Sequence, residues 1–252
     1  MFLRASLIAV VGMVSLTLTT GFSSAQDINF TEGSADITWF YDSTNDSWDV
    51  VFRNKGGTVA TGLTSQYDGP PGGFGGGDDW NFDTLNVHVT NPLVKTLNGN
   101  QYYTAGAQVT PPGRPDLGIR IRLRELDGDG NAVDQFSDFR LELDWAASTK
   151  PMDAQFAMFN NEGDLIRYET ADDILSSDWP ISGHSHWNWA FSHLGDYNLV
   201  FNFQGIGGAY GPSSSGTVNV GFSVVPEPSS VLMLMGTGIV LFGRRRRFAT
   251  AV

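Results

Sequence analysis

Three of the four histidines of the chain lie close together in the stretch H-S-H-W-N-W-A-F-S-H, which runs from His184 to His193. His184 and His186 stand two residues apart, so their side chains point to the same face of an extended strand. Neutral imidazoles are good ligands for Zn²⁺ and other transition metal ions. The spacing therefore places two imidazoles within reach of one ion, and a metal site would need further ligands from His193, His88 or carboxylates.

The same stretch also fits a strand with one solvated face and one core face. The histidine face would continue with Asn188 and Ala190. The opposite face would carry, beside Ser185, the large aromatic residues Trp187, Trp189 and Phe191. Burial of these rings predicts a stable half-buried strand whichever role the histidines have. Two histidines on a solvated face, without a metal ion, are the alternative to a metal site.

Two acidic stretches are further candidates for cation binding. Asp78 and Asp79 end a Gly/Pro-rich segment, Y-D-G-P-P-G-G-F-G-G-G-D-D, which has no phosphate-loop pattern. Asp127-Gly-Asp129-Gly-Asn131 resembles the start of a calcium loop but lacks the glycine and the glutamate that follow in such loops. A tight Asp-Gly hairpin turn explains the same residues. We therefore expect a long surface loop at the first stretch and a turn at the second.

The segments that would position these candidates are those of an all-β domain. Eight short stretches alternate apolar and polar residues or are rich in β-branched and aromatic residues, with turn formers between them. They are residues 35–41, 48–53, 85–90, 117–124, 139–145, 154–159, 197–203 and 217–224. Repeated short strands of this kind predict a single domain that is an antiparallel, immunoglobulin-like β-sandwich.

The composition limits the partners and the chemistry of this domain. Residues 26–224 hold 26 of the 27 acidic residues but only 10 of the 15 basic ones, a net charge near −16. Such a surface repels nucleic acid and attracts cations, so nucleic-acid binding is not expected. The chain has no cysteine, so thiolate chemistry is excluded and metal ligands must be histidines or carboxylates.

Both ends of the chain have the pattern of targeting signals, each with an apolar helix. At the N-terminus, Arg4 precedes an apolar run, and Ser23-Ser24-Ala25 provides the small residues that signal peptidase requires. Residues 1–25 are therefore predicted to be a signal peptide that is removed after Ala25. The chain is expected to be exported.

The other signal occupies residues 225–252. Pro226, Glu227 and Pro228 precede an uncharged apolar stretch, which is followed by Arg244, Arg245, Arg246 and Arg247. Arginines after an apolar helix hold its C-terminal end in the cytoplasm. This three-part order resembles the PEP-CTERM sorting signal of Gram-negative bacteria. The resemblance implies that exosortase, a membrane protease, removes the tail of a chain transiently anchored in the inner membrane and exports it to the envelope, outer surface or extracellular matrix.

A second resemblance covers patches of the domain between the signals. The pattern H-x-H-x-N-W-x-F, followed by G-x-Y, is matched by His184, His186, Asn188, Trp189, Phe191, Gly195 and Tyr197. It resembles the choice-of-anchor M domain, also described as an actinobacterial surface-anchored protein domain. The resemblance implies surface display and, because some such domains are associated with ABC-type uptake systems, capture of a substrate such as a metal ion. Ser34 stands where the first hairpin of that family often has a histidine.

These observations predict an exported, non-enzymatic binding module that holds a transition metal ion, with Zn²⁺ as first candidate, through His184, His186 and His193. The chain has no Gly-x-Ser-x-Gly and no nucleophile beside a recognisable base, which argues against a hydrolase. The alternative is a structural or exopolysaccharide-associated module without a metal site. Exposed aromatic rings would then stack on sugars, and the candidates are Trp39, Trp48, Trp80 and Tyr102.

Overall fold

The computed structural model describes residues 27–42, 47–55, 59–64, 66–67, 79–106, 114–124, 136–180, 183–207 and 215–225. Four predicted features lie outside these residues: the signal peptide 1–25, Asp78, the turn from Asp127 to Asn131, and the sorting signal from Pro226 onwards. Within the described ranges no helix is long and apolar enough to cross a membrane.

The described residues form sixteen β-strands, which confirms the all-β class. In chain order they are β1 (Asp27–Asp42), β2 (Ser47–Asn54), β3 (Val59–Thr61), β4 (Asp79–Asn81), β5 (Thr84–Val89), β6 (Leu93–Leu97), β7 (Asn100–Ala105), β8 (Pro115–Arg124), β9 (Asp138–Leu143), β10 (Phe156–Phe159), β11 (Ile166–Glu169), β12 (Ser176–Pro180), β13 (His184–His186), β14 (Asn188–Phe191), β15 (Gly195–Ile206) and β16 (Ser215–Val224).

Two sheets enclose the main core. Eight strands of the larger, eleven-stranded sheet follow the order β12-β9-β15-β16-β5-β1-β2-β4, while β3 and β8 also pair with β1, and β13 pairs with β8. The smaller sheet has the order β11-β10-β14-β7-β6. Aromatic rings join the two sheets, since Trp189 of β14 lies 5.1 Å from Phe222 of β16 and 6.1 Å from Phe201 of β15, between ring centroids.

The larger sheet is mixed, so the prediction of an antiparallel, immunoglobulin-like sandwich is confirmed only in its all-β class. Strand β1 pairs in parallel with β5 and β8, and β5 pairs in parallel with β16. Parallel neighbours need a crossover connection, whereas the predicted hairpins supply only antiparallel ones. The sequence pattern identifies strands and turns, but it does not show that β1 takes neighbours from distant parts of the chain.

Strand β1 changes partners halfway along its length and is covered on both faces. Residues 27–32 pair with β5 and β3, whereas residues 33–42 pair with β2 and β8. Gly33, at the change, has a φ of 88°, which glycine adopts without a Cβ clash. Beyond it, Ile37 faces the core, yet Asp36 and Thr38 on the opposite face are also fully buried. Asp36 is therefore a carboxylate held away from water.

The histidine stretch is two strands in different sheets, so the prediction of one continuous half-buried strand is wrong. Strand β13 pairs with β8 in the larger sheet, and β14 pairs with β10 and β7 in the smaller one. The predicted core residues, Trp187, Trp189 and Phe191, are buried. Asn188 and Ala190, predicted to face solvent, are 0% exposed because β14 is covered on both faces.

Candidate functional site

Three ligand-type atoms converge where β13 approaches β1. Nε2 of His184 lies 3.1 Å from Nε2 of His186 and 3.1 Å from Oδ1 of Asp36. Nε2 of His186 lies 3.6 Å from the same carboxylate oxygen. These three residues form the group of potential metal ligands found among the described residues. The geometry suits one ion that would touch two imidazoles and one carboxylate.

Strand register places Asp36 opposite the histidines. Asp36 of β1 pairs with Gly118 of β8, and Gly118 pairs with His186 of β13, so all three positions share one face of the sheet. Strand β8 lies between β1 and β13, and the side chains of Asp36 and His186 approach one another because Gly118 of β8 has no side chain. A Cβ at position 118 would overlap Oδ1 of Asp36 and lie 3.0 Å from Cε1 of His186. The missing side chain of Gly118 is therefore part of the site.

A second carboxylate orients His186. Oδ1 of Asp116, a buried residue of β8, lies 2.9 Å from Nδ1 of His186. The hydrogen bond assigns the imidazole proton to Nδ1, because the carboxylate accepts it, and leaves the lone pair of Nε2 facing Asp36 and His184. A carboxylate behind a histidine in this way is the common outer-shell arrangement of metal sites, where it fixes the tautomer and orientation of the ligand.

Two basic side chains balance the charge of Asp36. Nε of Arg120 forms an ion pair with Oδ2 at 3.0 Å. Nζ of Lys55 lies 2.9 Å from Oδ1, and also 2.9 Å from Nε2 of His184 and 2.7 Å from Nε2 of His186. A fully buried carboxylate requires such partners, since an unpaired buried charge is strongly destabilising.

The environment of His184 favours its neutral, ligand-competent form. Burial lowers the pKa of His184, Asp36 opposes that effect, and the charges of Lys55 and Arg120 lower the pKa further. At neutral pH the imidazole is therefore uncharged, which is the form that binds a metal ion.

Other residues considered as ligands lie elsewhere. His193 follows β14, where its Nδ1 lies 2.8 Å from the hydroxyl of Ser192, and it does not join the group. His88 of β5 has Nε2 3.3 Å from Oδ1 of Asn29. Asp79 is fully buried in β4, and its Oδ2 lies 3.6 Å from a guanidinium nitrogen of Arg53.

The aromatic residues considered for sugar stacking belong to the core. Trp39 and Tyr102 are at most 1% exposed. Trp48 and Trp80 are partly buried and pack against the main hydrophobic cluster. The two fully buried rings, Trp39 and Tyr102, therefore present no free face on which a sugar could stack.

Sequence reasoning did not single out Asp36, Asp116, Lys55 or Arg120. Two signals in the sequence could have found part of the site. Aspartate is rare in strands, yet Asp36 stands inside the run A-D-I-T-W-F-Y, which is otherwise rich in strand formers. An isolated glycine inside a strand marks a close approach of another group, and Gly118 interrupts D-L-G-I-R-I-R. Neither signal shows that the two residues are neighbours.

Comparison with known proteins identifies one segment. Residues 224–247 match the PEP-CTERM protein-sorting motif. The chain carries an exosortase sorting signal. This motif implies export and attachment at the cell envelope in Gram-negative bacteria, and it agrees with the predicted signal from Pro226 to Arg247. No curated protein and no solved structure matches the chain, and the resemblance to the choice-of-anchor M domain is not shown by these comparisons.

Proposed function

We propose that this protein is an exported cell-envelope protein whose β domain, residues 26–224, binds a transition metal ion through Asp36, His184 and His186. The observation that carries the proposal is the convergence of their three ligand atoms within 4.8 Å of one another. The site is built from four neighbouring structural features: the register of β13, β8 and β1, the gap at Gly118, the outer carboxylate of Asp116 and the ion pair of Arg120.

The chemistry of the ligand atoms favours Zn²⁺. Two imidazoles and one carboxylate are a ligand set that Zn²⁺ accepts, whereas Ca²⁺ and Mg²⁺ prefer sites made of oxygen atoms alone. Three protein ligands leave one tetrahedral position for an exchangeable ligand. Such a position suits a module that captures and releases an ion, and the acidic surface of residues 26–224 attracts cations toward it.

We further propose that the role is binding rather than catalysis. The resemblance of the histidine stretch to surface domains associated with ABC-type uptake systems supports a role in capture or relay. A structural or exopolysaccharide-associated role would leave the convergence of Asp36, His184 and His186 without a use, and the buried positions of Trp39 and Tyr102 do not support it.

The test is a zinc titration of the processed chain. The protein is produced with both of its own signals in a Gram-negative host that carries an exosortase, and is purified without a polyhistidine tag. We expect about one Zn²⁺ per chain by elemental analysis and calorimetry, and loss of that ion in the His184→Ala/His186→Ala variant. The His88→Ala variant is the matched control and should bind as the wild type does. Equal zinc content in the double variant would contradict the proposed site.

A further inference from the structure

The ammonium group of Lys55 lies at the point where the three ligand atoms meet. Its Nζ is 2.9 Å from Nε2 of His184, 2.7 Å from Nε2 of His186 and 2.9 Å from Oδ1 of Asp36. An ammonium has three donors and no acceptor, so it can donate one hydrogen bond to each of these atoms. The three donors of Lys55 thus match the three ligands of the proposed metal site.

The ammonium of Lys55 contacts the two imidazoles at the same nitrogen atoms that a metal ion would use. Nδ1 of His186 donates to Asp116, so its Nε2 is the acceptor nitrogen. His184 has its Nε2 against the ammonium as well. Lys55 therefore contacts the same two Nε2 atoms that would bind a metal ion.

A metal ion and the Lys55 ammonium exclude one another from this position. An ion bound at about 2.0–2.2 Å from the three ligands would lie within the contact distance of Nζ and would repel it. Asp36 keeps a second partner when Lys55 leaves, because Nε of Arg120 is paired with Oδ2 and not with the Oδ1 that faces the histidines.

Lys55 is placed so that it can leave. It directly follows the last residue of β2, Asn54, and its side chain is 26% exposed, whereas that of Asp36 is 0% exposed. Its four-carbon stem is flexible, and rotation of exposed side chains is fast. The ammonium can therefore move into water without any change in the sheet.

We infer that Lys55 is a resident competitor of the metal ion: its ammonium occupies the coordination position and must be displaced before an ion binds. This inference rests on the proposed metal site. The ammonium loses the same hydrogen bonds whichever ion displaces it. Lys55 therefore lowers the binding affinity of every ion by the same factor. It sets the ion concentration at which the site loads and releases, without changing the order of preference among ions.

Replacement of Lys55 by methionine tests the inference, because methionine has a similar length but no charge and no donor. We expect the Lys55→Met chain, processed and purified as above, to bind Zn²⁺ about tenfold to a hundredfold more tightly than the wild type, since charge-assisted hydrogen bonds no longer compete. Lys55→Gln is the second variant, in case methionine disturbs folding, and should shift the affinity in the same direction. Lys95→Met removes the same charge from β6 and should leave the affinity unchanged.

The outcomes separate this inference from the proposed function. Zinc binding by the wild type with equal or weaker binding by both Lys55 variants would overturn the inference and leave the metal site standing. Binding by the Lys55 variants alone would support the inference and overturn metal binding by the natural chain. No binding by any folded variant, with folding checked by circular dichroism, would overturn both. Tighter binding by Lys95→Met to the same degree would also overturn the inference, because general charge would then explain the effect.

Discussion

Glu169, the last residue of β11, is an acidic side chain in an unfavourable place. It is 1% exposed, and Oε2 accepts a hydrogen bond of 2.9 Å from Nδ2 of Asn98. Its Oε1 has no hydrogen-bond partner among the described residues. Burial raises the pKa of Glu169, and the charge of Asp172 raises it further. The ionised form is therefore less stable in the folded chain than in the unfolded chain.

The sign of this shift predicts how stability changes with pH. An acid whose folded pKa is raised contributes most to stability below its ordinary value of 4.5, and the contribution is lost as pH rises through the folded pKa. We expect Glu169→Gln to raise the thermal midpoint at pH 7. At pH 4 it should change the midpoint little, because the glutamate and the glutamine at position 169 are then both uncharged. Glu162→Gln, at an exposed position, should show no such difference between the two pH values. An equal gain at both pH values would exclude the ionisation of Glu169 as the cause.

At the scale of elements, the two sheets are joined by a hydrogen bond as well as by apolar contact. The indole Nε1 of Trp189 in β14 donates to the carbonyl of Leu117 in β8 at 2.8 Å, and both residues are buried. We expect Trp189→Phe to lower the free energy of unfolding by about 2–4 kcal/mol, from lost ring volume and an unpaired carbonyl. Urea denaturation measures the change.

Trp187→Phe is the matched control for that substitution. Trp187 is also buried, but its Nε1 donates to the hydroxyl of Ser185 two residues away and so does not link the sheets. Trp187→Phe should therefore lower the free energy of unfolding by less than Trp189→Phe does. Equal losses would mean that the bond between the sheets adds nothing to ring packing.

The gap at Gly118 makes a separate prediction about the site. A Cβ there would push Asp36 away from His186, so Gly118→Ala should weaken zinc binding by the folded chain about tenfold or more, because coordination tolerates shifts of only about 0.2 Å. Gly216→Ala is the control: its Cβ would press on the ring of Phe203, away from the site. It should lower the thermal midpoint and leave the zinc affinity of the folded chain unchanged. Equal zinc affinity in the two variants would show that the gap is not needed.

The elements also show how far sequence reasoning reaches. Alternation along an extended chain is a local property, and it correctly places His184 and His186 on one side and Trp187 on the core side. Asp36 is 148 residues from His184, and only the pairing of β1 with β8 and of β8 with β13 brings them together. The same limit explains Asn188: the crossing between sheets after Trp187 depends on which strands become neighbours, and that is set by packing of the whole domain.

For the whole molecule, charge is arranged in a way that favours one orientation. Residues 26–224 carry a net charge near −16, whereas the four arginines from Arg244 to Arg247 lie at the far end of the sorting motif. Because a basic cluster after an apolar stretch tends to stay in the cytoplasm, we expect residues 26–224 to lie on the outer side. We also expect one cut near the motif to separate these residues from the basic end.

This arrangement predicts the fate of a chain with an altered sorting motif. Replacement of Pro226, Glu227 and Pro228 by alanine removes the triplet at the start of the matched motif and leaves the apolar stretch and arginines unchanged. In a host with an exosortase, we expect this variant to keep its tail and to collect in the inner-membrane fraction, whereas the wild type is shortened and reaches the outer envelope or medium. Mass spectrometry and cell fractionation measure both effects. Pro212→Ala alters a proline before the motif and should be processed normally. Normal shortening of the triplet variant would show that exosortase does not need the triplet in this chain.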